Sequence, residues 1–469
     1  MTTIADLSIA DLLRAYRRRE LSPVAVLADV FARLDAAEPQ INAVTYQDRP
    51  ASEKEAKESE ARWAKGEPKG ELDGVPVSLK SNVYKKGWPS RRGSYQMPDV
   101  PDPFDAPAVV GLESAGAIIF AQTTMPEFGW KGIGDSPLTG ITRNPWKLGH
   151  TTGGSSAGAG ALGALCIGWA HVGTDGLGSI RIPASFTGLV GLKPSFGRVP
   201  AYPASPFGMV AHLGPMARTV EDAAFMLNAL SRVDDRDMRA WNHPAPDFRV
   251  GLQDGVRGLR IGFSPTLGYV ENVEPDVARL VAAAAKSFEA LGAHVEQADP
   301  GFAYTDARTA ADILWQAGAA AILKGIPREK HGEIDPGFVK AAVIGTSLSA
   351  VDFVSAMATS ARITETTRQY FEKYDLLLTP TMPVTALAVG RDVHEDGSWG
   401  EDWVNWSPFT YPFNLTGQPA ASVPCGIAGN GLPVGLHVVG PRRADALVMR
   451  ASRAYESAAP FAKLEKARN

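Results

Sequence analysis

The amino-acid sequence predicts an α/β fold in which helices cover both faces of a β-sheet. From about residue 259 onward, strand and helix patterns alternate: 259–265 (LRIGFSP) is a strand, 275–291 a helix and 293–297 (AHVEQ) a strand. Alternation of this kind is typical of a sheet packed between two layers of helices. No linker or internal repeat interrupts the 469 residues. One large domain is therefore favoured over the three that a length of ~150 residues per domain suggests.

The N-terminal segment is predicted to be helical. Ser8 and Asp11 have the spacing of a capping box, and Ser22 followed by Pro23 is typical of a helix start. Apolar residues then recur at helical spacing over 24–34.

The remaining elements follow the same two patterns. Helices are predicted at 51–66, 106–114, 305–324 and 349–373, strands at 75–80, 117–122 and 375–380, and short apolar runs between turns over 417–440. Residues 149–200 are rich in Gly, Ser and Ala but also contain the large apolar residues that a flexible linker lacks. We expect them to be buried core in which small residues let backbones approach closely. The stretch 391–408, by contrast, is expected to be an exposed loop that carries three tryptophans.

Composition excludes several classes of protein. The net charge is −4, from 47 basic and 51 acidic residues, which gives no support for nucleic-acid or membrane-surface binding. No apolar run reaches the ~18 residues of a transmembrane helix, and the N-terminus lacks the features of a secretory signal. Cys166 and Cys425 are too few for a disulfide scaffold or a Cys-rich zinc module. We expect both to be reduced, in a cytoplasmic protein.

Two familiar motifs are present, but their surroundings argue against both. Residues 158–163 match G-x-G-x-x-G, the dinucleotide-binding fingerprint, yet Gly- and Ser-rich sequence precedes them where a strand is required. Residues 154–158 match G-x-S-x-G, the nucleophile elbow of α/β-hydrolases, which also needs a preceding strand. The first set of glycines is therefore interpreted as packing residues. An esterase that uses Ser156, with His212, His294 or His437 as its base, stays a minor alternative.

No metal site is predicted from the sequence. The eight histidines show no H-x-x-x-H spacing, and none of them adjoins a cysteine. His394 precedes Glu395 and Asp396, but a single acidic loop does not make a set of metal ligands.

The chemistry that remains is acyl transfer by a serine. Ser179 follows a loop, 176–178, whose backbone N–H groups could form an oxyanion pocket. Lys80 ends an apolar strand, where burial would favour its neutral form and let it act as a base. On residue types alone, a solvated end of a strand explains such a lysine more often than catalysis does.

Four separated motifs give the sequence a resemblance to the amidase-signature hydrolases. They are GVPVSLKSN (74–82), GGSSAG (153–158), GTDGLGSIRIPA (173–184) and GLKPSFGRV (191–199), in the order that the family has them. Further segments resemble the family as well: TTMPEFGW (123–130), TRNPW (142–146), GPMARTVEDAA (214–224) and NLTGQPAASVPCG (414–426).

The resemblance implies an amidase-signature fold, with a large mixed, mostly parallel sheet and helices on both faces. It also implies that residues 1–469 form a single domain. The parts of that domain would be N-terminal helices at 1–66, a catalytic core at 74–230, a more variable region at 231–373 and a C-terminal return to the core at 374–469.

The resemblance further implies a Ser–cis-Ser–Lys triad. Ser179 would be the acylated nucleophile, Ser155 the bridging serine on a cis peptide bond, and Lys80 the base. Neutral Lys80 would accept a proton from Ser155, which accepts one from Ser179. The oxyanion would be held by backbone N–H groups of Gly176, Leu177 and Gly178. Neither a metal nor an organic cofactor is required.

The loop before the nucleophile departs from the family pattern at two positions. The family usually has Thr-Gly where this chain has Gly176-Leu177. Leucine keeps the backbone N–H but is confined to negative φ far more than glycine is. We expect the side chain of Leu177 to lie beside the pocket, so that Leu177→Gly changes substrate preference more than stability. Asp175 and Arg181 are expected to hold the loop in shape.

Trp130, Trp403 and Trp406 are candidate walls of the substrate pocket. Tryptophan over a site suits an aryl or a long apolar substrate. A secondary amide, an anilide or a carbamate is therefore favoured over a small primary amide. Aryl acylamidases and carbamate-cleaving urethanases are family members that resemble this pattern, and the sequence does not separate them.

Other functions stay open. Within the family they are a primary-amide amidase and the amidase subunit of a tRNA-dependent amidotransferase, which works with partner chains. Outside it, the alternative is a non-catalytic binding protein on the same fold. As partner we expect a small-molecule amide or carbamate, with neither nucleic acid nor a membrane. A homodimer is left open.

Overall fold

The computed structural model describes residues 3–461 and Leu464. The α-helices are α1 (Ile9–Arg18), α2 (Pro23–Ile41), α3 (Arg49–Lys65), α4 (Pro107–Ser114), α5 (Ala157–Ala164), α6 (Arg181–Thr187), α7 (Val220–Leu230), α8 (Pro275–Ala290), α9 (Tyr304–Leu323), α10 (Pro336–Thr346), α11 (Ala350–Lys373), α12 (Pro412–Leu415) and α13 (Asp445–Ala458). The strands are β1 (Val44–Tyr46), β2 (Pro76–Lys80), β3 (Ile118–Thr123), β4 (Asp135–Ser136), β5 (Gly140–Ile141), β6 (Ala170–Asp175), β7 (Val190–Lys193), β8 (His212–Ala217), β9 (Arg260–Phe263), β10 (His294–Gln297), β11 (Leu376–Pro380), β12 (Ala420–Ile427) and β13 (Pro433–Val439). Short 3₁₀ helices occupy Ile4–Asp6, Glu127–Gly129, Gly208–Val210, Arg328–Glu333 and Trp403–Trp406.

The predicted starts of the first two long helices are confirmed. The Ser8 side chain accepts a hydrogen bond from the Asp11 backbone N–H over 3.1 Å. The Asp11 carboxylate in turn accepts from the backbone N–H of Ser8, which completes the capping box. The Ser22 side chain accepts from the N–H of Ala25 over 3.2 Å at the start of α2. In both cases the hydroxyl satisfies an N–H group that the first turn of a helix leaves without a partner.

Eleven strands form one mixed sheet in the order β1-β3-β2-β6-β8-β7-β12-β13-β11-β9-β10. The sets β3-β2-β6 and β11-β9-β10 are parallel. The other six of the ten pairings within this sheet of described strands are antiparallel. The large mixed sheet is confirmed, but the expectation that it is mostly parallel is wrong. Strands buried on both faces carry the continuous apolar runs that parallel sheets also show, so their direction is not visible in the sequence.

Two large apolar clusters lie on opposite faces of this sheet. In β11, Leu376 and Leu378 belong to the first cluster and Leu377 to the second. Because successive side chains of a strand point to opposite faces, the two clusters lie on opposite sides. The first cluster contains residues of α1–α4, α7, α8 and α13, and the second contains residues of α9–α12. The prediction of helices on both faces is confirmed.

The Gly- and Ser-rich segment 149–200 is largely buried from residue 151 onward, as predicted. All eight residues of α5 are buried. A Cβ on Gly158 would lie 2.1 Å from the backbone oxygen of Ala43, so only glycine allows this approach. Residues 152–156 before α5 form a loop rather than a strand. Both the dinucleotide-binding interpretation and the nucleophile-elbow interpretation therefore lack the strand that they require.

The stretch 391–408 is only partly the exposed loop that was expected. Trp403 is 3% exposed and Trp406 is fully buried. The two indole rings pack against each other and against Gly132, and Nε1 of Trp406 donates to the carbonyl of Asp392 over 2.8 Å. The expectation is wrong for 403–408, because these aromatic side chains bury their surface in the second apolar cluster.

None of the described helices alone is long and apolar enough to cross a bilayer. α10 and α11 satisfy that length and composition only as a pair, and they are bent by 103° at the break between them. The expected cytoplasmic location stays a prediction.

Candidate active site

A cavity lies at the carboxyl edge of the parallel strands β2 and β6. The two strands are neighbours and pair Leu79 with Val172, so their ends reach the same edge of the sheet. Lys80 is the last residue of β2, and Thr174 and Asp175 end β6. Open α/β sheets bind their ligands at the carboxyl ends of strands.

The amine of Lys80 is wholly buried and has polar neighbours on two sides. Its Nζ lies 2.7 Å from Oγ of Ser155, 2.9 Å from Oγ1 of Thr174 and 3.4 Å from the carbonyl oxygen of Thr174. Burial lowers the pKa of Lys80 to about 7, and the nearby Asp175 carboxylate opposes that shift. The neutral amine is therefore well populated near neutral pH. The interpretation of Lys80 as a solvated strand end is wrong.

Ser155 lies in the loop before α5, with a cis peptide bond between Gly154 and Ser155. Its neighbour Ser156 has a different environment. The hydroxyl of Ser156 accepts from the N–H of Thr174 and donates to its carbonyl, each over 3.3 Å. The N–H of Ser156 donates to the carbonyl of Ser179 over 3.1 Å. Ser156 thus joins the end of β6 to the loop of Ser179, whereas Ser155 lines the cavity.

Ser179 lines the same cavity, in the turn between β6 and α6. It is 4% exposed. Within the described chain its hydroxyl makes no hydrogen bond to the hydroxyl of Ser155. The structure therefore brings Ser155 and Ser179 to one cavity and places the buried amine of Lys80 behind it, within hydrogen-bond distance of Ser155.

A buried ion pair holds the loop of Ser179. Arg181 donates to the two carboxylate oxygens of Asp175 over 2.9 and 3.0 Å, and Asn414 donates to Asp175 over 2.8 Å. Burial alone would raise the pKa of Asp175, but the charge of Arg181 holds that pKa well below its usual range. Asp175 is therefore an anion, and its hydrogen bonds hold the loop of Ser179 in place. This matches the expectation that Asp175 and Arg181 hold the loop in shape.

The backbone N–H groups of this loop fall into two sets. The N–H of Gly178 donates to the carboxylate of Asp175 over 2.7 Å. The N–H groups of Gly176, Leu177 and Ser179 have no acceptor within the described part of the chain. The expectation that Gly178 is an oxyanion donor is therefore wrong, because Asp175 already accepts its hydrogen. The N–H of Ser179 is available in its place, and the roles of Gly176 and Leu177 stay a prediction.

The side chain of Leu177 does not reach the cavity. It is 1% exposed and belongs to the second apolar cluster. The carbonyl of Leu177 accepts from Oγ1 of Thr410 over 2.6 Å, which fixes the direction of the loop. The expectation that Leu177 lies beside the pocket is wrong, because its apolar surface is buried in the core instead.

We therefore expect Leu177→Ala to act on stability rather than on substrate preference. Truncating a buried leucine lowers the free energy of unfolding by about 2–5 kcal/mol. Chemical denaturation measures this loss, and the ratio of rates on two substrates reports preference. If the variant has wild-type stability but an altered ratio of rates, the prediction is wrong and the side chain of Leu177 contacts the substrate.

The three tryptophans expected as pocket walls lie behind the cavity. Trp130 and Trp403 pack edge to face with 6.5 Å between ring centroids, and Trp403 packs on Trp406 at 6.2 Å. None of the three is among the residues that line the cavity. The aromatic wall is formed instead by Phe207 and Trp315, whose rings stack with 3.8 Å between centroids. The predicted tryptophans support this wall from behind.

The rest of the lining combines apolar and basic side chains. It includes Asn82, Arg92, Phe128, Tyr202, His212, Arg239 and Ile322. Of these residues, sequence reasoning named only His212, as a candidate base for Ser156. It did not single out Thr174, Phe207 and Trp315 either. Thr174 could have been found, because it stands in the same motif as Asp175 and Ser179. Phe207 and Trp315 lie between the motifs, where the sequence carries no signal for them.

The buried histidines supply no base for Ser156. The ring nitrogens of His437 lie 3.2 Å from Arg181 and 3.3 Å from Thr379. Burial lowers the pKa of His437 well below its usual value, so the ring is neutral. No histidine contacts Ser156 in the described structure. Within residues 3–461 and Leu464, no group of three His, Cys, Asp or Glu side chains is placed to hold a metal ion.

The chain is similar in sequence and structure to known proteins. The sequence model of the amidase family matches residues 25–449. The chain is 33% identical over 461 residues to an acylamidase of Rhodococcus erythropolis, covering 97% of this chain and 96% of that protein. It is 32% identical over 487 residues to a subunit of the glutamyl-tRNA(Gln) amidotransferase of Geobacter metallireducens, covering 97% of both. The solved structure of a bacterial aryl acylamidase of the amidase signature family superposes with a TM-score of 0.91, at 32% identity and over 98% of both chains.

Proposed function

The chain belongs to the amidase family, and we propose that it cleaves the C–N bond of secondary amides, anilides or carbamates. It is an amide-hydrolysing serine enzyme that is similar in sequence and structure to aryl acylamidases. The proposed nucleophile is Ser179, with Ser155 and Lys80 as its proton relay. The observation that carries the proposal is the buried amine of Lys80, 2.7 Å from the hydroxyl of Ser155 in the cavity that Ser179 lines.

The contacts of Lys80 support a transfer of the Ser155 proton to its amine. Nζ lies within hydrogen-bond distance of three oxygens, Oγ of Ser155 and the hydroxyl and carbonyl oxygens of Thr174. A neutral amine has two hydrogens and one lone pair. In the proposed relay the two oxygens of Thr174 accept the two hydrogens, and the lone pair accepts the proton of Ser155. The amide of Asn82 also donates to the Thr174 hydroxyl, over 3.1 Å, and holds that side chain in place.

The reaction then follows the order of the relay. As the substrate binds, the side chain of Ser179 turns towards Ser155, which takes its proton and passes its own to Lys80. The oxygen of Ser179 attacks the carbonyl carbon, and the N–H groups of Gly176, Leu177 and Ser179 stabilise the oxyanion. The proton returns through Ser155 to the leaving nitrogen, and the C–N bond breaks. Water releases the acyl group from Ser179 by the same relay.

Two observations support a substrate with an aromatic or large apolar group. The cavity is bounded by the rings of Phe128, Tyr202, Phe207 and Trp315. Flat aromatic surfaces favour planar rings, since ring pairs in contact add to the energy of burial. The relative from Rhodococcus erythropolis is named an acylamidase, and the similar solved structure is an aryl acylamidase.

Hydrolysis of an anilide and of the corresponding carbamate tests this proposal. The purified chain, without partners, is incubated with acetanilide and with ethyl N-phenylcarbamate, and the release of aniline is followed. We expect release from the wild type and none from the matched variant Ser179→Ala. Release that persists in Ser179→Ala contradicts the nucleophile, and no release from either compound contradicts the substrate class.

A second candidate is the amidase subunit of a tRNA-dependent amidotransferase. It is supported by the 32% identity to the Geobacter metallireducens amidotransferase chain over nearly the whole length of this one. A protein of this kind works with partner chains and passes ammonia onward. It predicts a chain that is almost inactive on anilides by itself and releases ammonia from glutamine once partner chains are added. Aniline release by the isolated chain favours the acylamidase instead.

A further inference from the structure

One indole ring in the cavity is held in place from several sides. Trp315, on α9, stacks on Phe207 with 3.8 Å between centroids and 18° between planes. Its Nε1 donates to the carbonyl of Trp130 over 3.0 Å, and its ring packs edge to face on Trp403. A tryptophan fixed by stacking and by its indole hydrogen bond presents a rigid surface to the cavity.

The same ring lies against the first residue of the oxyanion loop. A Cβ on Gly176 would lie 2.6 Å from Cζ3 and 3.0 Å from Cη2 of Trp315. Gly176 is not among the glycines with positive φ, so the lack of space, and not the backbone conformation, requires a glycine here. Trp315 therefore fills the space that the side chain of the family's usual threonine would need.

We propose that Trp315 determines the specificity of this site, and that its ring, with Phe207, binds a planar aromatic group of the substrate beside the oxyanion loop. The inference rests on the function proposed above and names the residue that makes an aryl substrate preferable. Gly176 is its necessary companion, because any side chain there would displace the indole. The departure of Gly176 from the family pattern is thus coupled to a tryptophan 139 positions away along the chain.

Two pairs of amides that differ in the planarity of one ring test this inference. Acetanilide is compared with N-cyclohexylacetamide, and benzamide with cyclohexanecarboxamide, so that the ring lies on the amine or on the acyl side. The ratio of kcat/KM within each pair is measured in the wild type and in Trp315→Leu, so that intrinsic differences in reactivity cancel. We expect the aromatic preference to fall by about 2- to 12-fold in at least one pair. Trp399→Leu, which changes a partly buried tryptophan outside the cavity lining, is expected to leave both ratios unchanged.

A double-mutant cycle tests the coupling itself. Gly176→Ala in the wild type is expected to lower kcat/KM by as much as about 100-fold, because the loop or the indole must shift. In the Trp315→Leu background the same substitution is expected to lower it far less, since the obstructing ring is gone. Gly178→Ala is the matched control. Its Cβ would meet Thr410 at 2.6 Å, so Trp315→Leu should not relieve its effect.

The outcomes separate this inference from the proposed function. If Trp315→Leu does not fold, Trp315→Phe replaces it, and a partial relief of Gly176→Ala is expected because the ring is smaller. Unchanged ratios in both pairs together with additive effects of Gly176→Ala overturn the inference and leave amide hydrolysis by Ser179 intact. A wild type that hydrolyses none of the four amides contradicts the proposed function and this inference with it.

Discussion

Ser179→Ala is expected to lower kcat/KM for anilide hydrolysis on the order of 10⁶-fold, the scale on which removing a catalytic serine acts. In the proposed mechanism the hydroxyl of Ser179 supplies the atom that bonds to the carbonyl carbon, and alanine has nothing to replace it. The variant should keep its fold, because the N–H and carbonyl groups of this residue are unchanged and the clamp of Asp175 and Arg181 remains. Aniline release with excess enzyme measures the residual rate.

Ser156→Ala is the matched control for this loss. The hydroxyl of Ser156 contacts the backbone of Thr174 and does not line the cavity, so its removal should cost stability more than rate. The opposite pattern, an active Ser179→Ala and an inactive Ser156→Ala, would support the nucleophile-elbow esterase and remove the basis of the present mechanism.

Lys80→Met is expected to lower kcat by about 10²- to 10⁴-fold, the usual contribution of a positioned general base. Methionine has a similar length, and its thioether sulfur is too weakly basic to accept the proton of Ser155. Because the Lys80 amine is wholly buried, an apolar replacement removes a desolvation penalty, and thermal unfolding should show a folded chain. A rate near that of the wild type would exclude Lys80 as the base.

The pH dependence provides a second test of Lys80. Burial lowers the pKa of this amine to about 7, so below that pH the amine is protonated and has no lone pair for Ser155. We expect kcat/KM of the wild type to rise with pH up to about 7 and then to level off. The residual rate of Lys80→Met should lack this rise. The same rise in both proteins would assign it to another group.

Much of the fold and part of the site could be predicted because local signals specify them. The Ser8–Asp11 capping box and the Ser22–Pro23 helix start need only neighbouring residues, and both are confirmed. Lys80 at the end of an apolar strand was visible as a candidate base from its position. Its burial follows from the pairing of its strand with β3 and β6, which the sequence does not display.

The remaining features depend on contacts between residues that are far apart in the chain. The side chain of Leu177 packs into an apolar cluster that contains residues of α9 to α12, which are distant in the sequence. Its direction, away from the pocket, could therefore not be predicted from neighbouring residues. The sequence gives no sign that the backbone N–H of Gly178 is unavailable as an oxyanion donor. In the fold this N–H donates a hydrogen bond to the carboxylate of Asp175. Trp315 reaches the site only because α9 packs on the oxyanion loop. The burial of Trp403 and Trp406 could not be predicted either, because the residues before them are mostly polar and indicate an exposed loop.

The most direct test of the account is to identify the serine that becomes acylated. The wild type is treated with an aryl N,N-dialkylcarbamate, whose carbamoyl group is released slowly from an acyl-enzyme, and the labelled peptide is identified by mass spectrometry. The account predicts one carbamoyl group per chain, on Ser179, and no label in Lys80→Met over the same time. A label on Ser155 or Ser156, or a label on Ser179 that forms equally fast without Lys80, would contradict it.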